Sequence, residues 1–175
     1  MPAGTPLKLR HATDADGDAI WDIFRVVVSA GDTYAFDPDI SRTDALAYWM
    51  QPTNHCHVAE RQGTVVGTYI LKTNQPGLGS HVANAAFMVA PSARGTGVGR
   101  AMGEHCLAEA RRQGFLAMQF NFVVSTNARA VRLWQRMGFA IVGTLPGAFR
   151  HPQHGFVDAF VMYKQLQNSA TRRSA

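Results

Sequence analysis

The sequence predicts an α/β domain with a mixed central sheet of about seven strands and about four flanking helices. Three observations carry that expectation. A β-hairpin region is followed by strands and helices in alternation, the pattern of a sheet covered on both faces. A glycine-rich turn joins the fourth expected strand to the third expected helix. The 175 residues, 46% hydrophobic and 17% charged, suffice for one buried core. One domain is expected over residues 1–167, with a polar tail over 168–175.

The elements follow from local pattern. Leu7–Arg10 reads as a short strand. Asp14–Ser29 reads as a helix, because Ile20, Ile23, Phe24, Val27 and Val28 recur at helical spacing. Gly31–Pro38 is a loop, and Thr43–Met50 a second helix. His55–Glu60 and Val65–Leu71 form a hairpin around Gln62-Gly63. Asn74–Gly79 is a turn. Val82–Val89 is a central strand closed by Pro91. Gly97–Gln113 is a helix stopped by Gly114. Leu116–Val124 is a strand. Asn127–Met137 is a helix with Ala130, Leu133, Trp134 and Met137 as its apolar stripe and Gly138 as its stop. Phe139–Val142 and Val157–Lys164 are the last strands, with Pro146–Gly155 between them as a solvated loop carrying His151 and His154.

Composition narrows the function classes. No apolar run reaches the roughly 18 residues of a membrane span, so no membrane partner is expected. Met1–Arg10 lacks the pattern of a signal peptide. Cys56 and Cys106 do not make a disulfide framework and read as reduced, buried thiols, which points to a cytoplasmic setting. The net charge of +5 invites nucleic acid as a partner. The arginines are scattered, however, and no basic run interleaves with aromatics, so a local anion site is expected and nucleic acid is not. His55 and His57 share a strand face, but no further ligand stands at metal-binding spacing, so an exposed hairpin strand without metal is expected.

The sharpest signal is Val89-Ala90-Pro91-Ser92-Ala93-Arg94-Gly95-Thr96-Gly97-Val98-Gly99-Arg100, between a strand and a helix. Alternating glycines let the backbone curl, and a helix N-terminus offers unpaired N–H donors and a favourable dipole to an anion. A P-loop is excluded, because Arg100-Ala101 stands where Lys-Ser/Thr is required. The dinucleotide fingerprint also fails, since Arg100 or Met102 occupies its third glycine position. Arg94-x-x-Gly97-x-Gly99, preceded by Val89 and Pro91, resembles the coenzyme A loop of the GNAT acetyltransferases.

A second motif agrees. Asn127-Ala128-Arg129-Ala130-Val131-Arg132-Leu133-Trp134-Gln135-Arg136-Met137-Gly138-Phe139 is similar to the helix that follows in that family. The resemblance covers about Leu7–Leu166. It implies a GNAT fold whose central strand pair is splayed, and acetyl-CoA as co-substrate. It implies cofactor contacts at Met88, Val89, Arg94, Gly95, Thr96, Gly97, Val98, Gly99, Arg100, Asn127, Arg129 and Trp134. Homodimers are common in the family and are expected as an option here. The family's tyrosine, often the proton donor to the departing thiolate, is replaced by Trp134. An indole N–H does not titrate usefully, and Trp134 reads equally as core.

The family's central-strand glutamate is also missing, because His81–Pro91 contains no Asp or Glu. It contains Asn84, and the next strand contains Asn121 among aromatics. An amide in an apolar strand needs partners. Each either ties down a bulge or neighbouring backbone, or faces the substrate. His81-x-x-Asn84-Ala-x-Phe87, Phe120-Asn121-Phe-Val-x-x-Thr-Asn127, Gly31-Asp32-Thr33-Tyr34 and Val157-Asp158-Ala159 resemble the fungal azetidine-2-carboxylate N-acetyltransferases. That resemblance implies Asn84 and Asn121 as substrate-site residues, expected to be catalytic by orienting an amine, and Phe87 as an aromatic at the pocket. Tyr34, in the loop on the acceptor side of this fold, is expected either to cover the substrate or to belong to a plain connector between helices. The expected reaction moves acetyl from acetyl-CoA to the amine of a small molecule, such as an amino or imino acid. A protein N-acetyltransferase and a non-catalytic acyl-CoA-binding module remain as alternatives.

Overall fold

The computed structural model describes residues 6–166, so the tail expected over 168–175 lies outside the described residues. Seven strands run β1 (Lys8–His11), β2 (His55–Arg61), β3 (Thr64–Thr73), β4 (Val82–Val89), β5 (Ala117–Val124), β6 (Ala140–His151) and β7 (Gly155–Gln165). Four α-helices run α1 (Gly17–Ser29), α2 (Arg42–Trp49), α3 (Val98–Arg112) and α4 (Ala128–Arg136). The sheet order is β1-β2-β3-β4-β5-β7-β6, with β4 and β5 parallel and β1-β2, β5-β7 and β6-β7 antiparallel. This is the mixed α/β architecture that the pattern of elements predicts. Among the described residues no helix is long and apolar enough to cross a membrane.

The chain forms two compact units. One comprises residues up to Ile70 together with Ala86–His105; the other comprises Leu71–Ala85 and the residues from Cys106 onward. In the first unit, α1 buries Ile20, Ile23, Phe24, Val27 and Val28, the stripe expected from the spacing, against Ala45 and Trp49 of α2 and Val58, Ile70 and Met88 of the strands. Helix α1 is preceded by a 3-10 turn over Asp14–Asp16. Gln62 (φ 52°) and Gly63 (φ 75°) both lie in the left-handed region, the turn that matches the twist of a two-residue hairpin. Arg10 ties this unit together: it donates to Asp16 at 2.8 Å and to Glu60 at 3.0 Å. The Arg10 hydrogen bond holds the Asp16 carboxyl well below its ordinary range, against the opposing effect of burial.

The His55–Arg61 strand is not an exposed hairpin arm: His57 is 1% exposed, stacked on Tyr69 with ring centroids 4.6 Å apart, and its Nδ1 lies 3.0 Å from the His55 carbonyl oxygen. A polar side chain can occupy a buried strand position once its ring stacks and a ring nitrogen is bonded.

In the second unit, Pro146–Gly155 is not a loop. β6 continues to His151 and pairs with β7 through Phe149↔Val157, Arg150↔Phe156 and His151↔Gly155. Pro146 cannot donate to a ladder and so reads in sequence as a strand breaker. The structure accommodates it on the last strand of the sheet order, where the register shifts between Leu145 and Phe149. Gly147 N–H there donates to Asp158 Oδ1 at 2.9 Å. His151 is buried, and its Nδ1 accepts from Gln153 N–H at 3.1 Å.

Candidate functional site

In the first unit the glycine loop is built as its composition demands. Pro91–Ala93 makes one 3-10 turn, and α3 begins at Val98. Gly95 (φ 80°) and Gly97 (φ 86°) adopt backbone that side chains disfavour. Thr96 braces the curl: its hydroxyl donates to Ala93 O at 2.8 Å and accepts from Arg61 at 3.2 Å. A helix starting at Val98 leaves the N–H groups of Val98, Gly99 and Arg100 without intrahelical acceptors. Ala101 N–H is the first to reach a loop carbonyl, that of Gly97, at 3.0 Å. A Cβ on Gly97 would meet nothing within 4 Å, so the curl opens onto free space. Arg94, Gly95, Thr96, Gly97 and Arg100 are exposed, and Arg100 is engaged with Glu104 at 2.8 Å. The loop can thus receive an anion: it is open, rich in N–H donors and flanked by the exposed Arg94.

The helix behind the loop is fixed by close packing. Val98 and Met102 are buried, and the Met102 Cε and Val98 Cγ1 atoms lie 2.9 and 3.1 Å from where a Cβ of Gly67 on β3 would stand. A Cβ there would press on these side chains, so Met102 and Val98 would have to shift. On β4, Met88 is buried and Val89 half-buried. Phe87 beside them stacks on Tyr69 at 5.4 Å. Tyr34, from the loop between α1 and α2, donates its hydroxyl hydrogen to Phe87 O at 2.6 Å and accepts from Phe87 N–H at 3.0 Å. Burial pushes the Tyr34 phenol above its ordinary value, so it stays neutral.

In the second unit, β4 and β5 start as a parallel pair, Val82↔Ala117 and Ala83↔Met118. At the next position Asn84 Nδ2 donates to the Gln119 carbonyl oxygen at 2.9 Å, a side chain taking up the ladder. Asn121 sits where β5 shifts register against β7, between Phe120 and Val123. Such bulges re-aim side chains next to active sites. Its amide is held from both sides: Gln119 Nε2 donates to Asn121 Oδ1 at 2.8 Å, and Asn121 Nδ2 donates to Asn74 Oδ1 at 2.7 Å. Asn84 therefore bonds a neighbouring backbone and Asn121 marks a bulge, and Gln119 meets both, the first through its backbone carbonyl and the second through its side chain. Gln119 and Asn74 escaped the sequence reading. Gln119 stands two positions before Asn121 on the same strand and so on its face, a signal that could have found it. Asn74 stood in a turn, and only the fold brings it to Asn121.

Asn127 caps α4, its Oδ1 accepting from Ala130 N–H at 3.3 Å, and Arg129 is exposed in the first turn. Trp134 is buried between Phe120 (4.8 Å) and Phe139 (6.1 Å), which makes it a core residue of this unit. Cys106 is buried on α3, and burial pushes its thiol far above the ordinary value. The Cys56 thiol is pushed up to about 11 by burial. Neither supplies a ready thiolate.

A model of the acetyltransferase (GNAT) family matches residues 18–139. The N-acetyltransferase aca1 of Schizosaccharomyces pombe is 39% identical over 99 residues, 56% of this chain and 47% of that protein. The chain thus spans about half the length of that relative. A GCN5-related N-acetyltransferase from Kribbella flavida superposes with a TM-score of 0.88 at 49% identity, covering 91% of this chain and 97% of that one. The protein yncA from Salmonella typhimurium, solved with its cofactor acetyl-CoA, superposes with a TM-score of 0.82 at 25% identity over 94% and 96% of the two chains.

Proposed function

The chain belongs to the acetyltransferase (GNAT) family, and from that premise we propose that it transfers the acetyl group of acetyl-CoA to the amine of a small amino or imino acid. The glycine loop with Arg94, Thr96 and Arg100 takes the pyrophosphate, and Asn127 and Arg129 at the start of α4 serve the same cofactor. The observation that carries the choice of acceptor is Asn84. Its Nδ2 is spent on the Gln119 carbonyl, so its Oδ1 remains as an acceptor for an amine N–H. An oxygen acceptor of fixed direction orients a neutral amine without itself taking the proton.

Attack requires a neutral amine, held at contact distance from the thioester carbon. Asn84 orients it through Oδ1, and Asn121, bonded at both amide atoms, acts through the side chains it holds. Backbone N–H near Met88 or Val89 polarises the thioester carbonyl as charge develops on its oxygen. β4 carries no carboxylate, so a water chain removes the proton. Phe87 and the Tyr34 loop shape the acceptor side, and azetidine-2-carboxylate is the leading imino acid. Transfer is direct, without an acetyl-cysteine.

Thiol release from acetyl-CoA, measured against amino and imino acids, polyamines, aminoglycosides and short peptides, tests the reading. Turnover with an amino or imino acid supports it, and Asn84→Ala should then lower kcat about 100-fold through lost positioning while acetyl-CoA binding holds. Turnover with peptides alone would replace it with protein N-acetylation. Tight acetyl-CoA binding with no turnover would replace it with a non-catalytic acyl-CoA-binding module.

A further inference from the structure

The amide chain of the second unit has a direction. Gln119 O is a backbone carbonyl and can only accept, so Asn84 must present Nδ2 to it and keep Oδ1 outward. Gln119 Nε2 donates to Asn121 Oδ1, and Asn121 Nδ2 donates to Asn74 Oδ1. Both amide groups of Asn121 are thereby used within the chain. The outward group at the far end is Asn74 Nδ2, which bonds no acceptor among the described residues. Asn74 is also pinned in its backbone, since its N–H donates to Val82 O at 2.8 Å, beside the start of β4. It is half-buried and so within reach of a ligand.

Asn84 thus offers an acceptor, held on the Gln119 backbone carbonyl, and Asn74 a donor, held by the separate links from the Gln119 side chain through Asn121. A molecule matching both carries an amine N–H and an anionic or carbonyl oxygen. We propose that Asn74 is a specificity-determining residue that reads the carboxylate of the acceptor, with Gln119 and Asn121 as positioning residues that set the direction of its amide. The proposal rests on the reading of Asn84 as the amine-orienting residue. It assigns the acceptor a free carboxylate and separates amino and imino acids from simple amines, polyamines and aminoglycosides.

The test is Asn74→Asp. A carboxylate still accepts from Asn121 Nδ2, so the chain and the fold are kept, but the outward donor becomes an anion. Turnover is compared for proline and methionine and for their carboxamides. The expected result is a rise in KM of at least 10-fold for the acids, with the carboxamides changed less than about 2-fold and the melting temperature held. An equal change for acids and carboxamides would overturn the role of Asn74. Wild-type turnover of the carboxamides as efficient as of the acids would overturn the carboxylate requirement while leaving the amine reading in place. Absence of wild-type turnover with every amine would remove both. A readout independent of turnover is the side-chain 15NH2 signal of Asn74, identified by its loss in Asn74→Asp. Adding proline should shift it and adding prolinamide should not; equal response to both would overturn the proposal.

Discussion

The Tyr34 hydroxyl binds both backbone groups of Phe87, donating to its carbonyl oxygen at 2.6 Å and accepting from its N–H at 3.0 Å. A loop residue thus substitutes for a neighbouring strand at the residue before Met88. Tyr34 is itself held by an aromatic row: Phe36 lies 5.8 Å from it, Phe24 lies 5.1 Å from Phe36, and Trp49 lies 5.7 Å from Phe24. The row ends at Trp49 Nε1, which donates to Thr68 on β3 at 3.0 Å. Tyr34→Phe keeps the ring and removes both hydroxyl bonds to the Phe87 backbone. Stability should fall by about 2 kcal/mol. If Met88 or Val89 polarises the thioester, kcat should fall about 10-fold while KM for acetyl-CoA changes less than 3-fold. Unchanged kcat would confine Tyr34 to a structural role.

Helical and strand periodicity carried most of the fold. The α1 stripe and the Val82–Val89 strand stand where spacing and flanking proline put them, because each is set by local chemistry. β6 was lost because Pro146 reads as a breaker, and only pairing across a register shift shows that it is tolerated. Asn84 and Asn121 were legible as oddities in apolar strands. Their partners were less so: Asn74 is 47 residues from Asn121 in sequence, and no local signal joins them. Trp134 read equally as cofactor contact or core, and only its position between Phe120 and Phe139 settles its burial.

Gly97 and Gly67 are needed for different reasons, which substitution should separate. Gly97→Ala meets open space but must hold φ at 86°, a strain of about 1–2 kcal/mol. The open loop relieves that strain by leaving its curl, so the effect should fall on binding: acetyl-CoA affinity down about 10-fold, with a melting loss of no more than about 2–4 °C. Gly67→Ala keeps an ordinary backbone but crowds Met102 and Val98 at 2.9 and 3.1 Å. It should cost about 1 kcal/mol of global stability through overpacking, because the Met102 tip can move aside and Val98 must give slightly. Calorimetry of acetyl-CoA binding and thermal unfolding on both variants would distinguish the cases; equal losses of acetyl-CoA affinity would contradict this division.

Cys106 is fully buried on α3, and burial raises its thiol far above working pH. A protonated, enclosed sulfur is a poor nucleophile. Cys106→Ala should keep kcat within about 2-fold, and intact mass measurement under turnover should find no acetylated enzyme. An acetyl adduct that disappears in this variant would replace direct transfer with a covalent route.

The Arg10–Asp16 pair predicts acid sensitivity. Asp16 accepts from Arg10 at 2.8 Å and from Thr13 N–H at 2.7 Å, and the Arg10 hydrogen bond leads in depressing its carboxyl. A carboxyl depressed in the folded state contributes stability above its unfolded value of about 4, and loses it as pH falls further. Asp16→Asn should therefore be less stable than the wild type by about 2 kcal/mol at neutral pH. That gap should stay constant down to about pH 4 and close below it. Thermal unfolding of both proteins from pH 7 to 3 gives the result. A gap that persists undiminished at pH 3 would place the stabilisation in packing around Asp16 instead of in its charge.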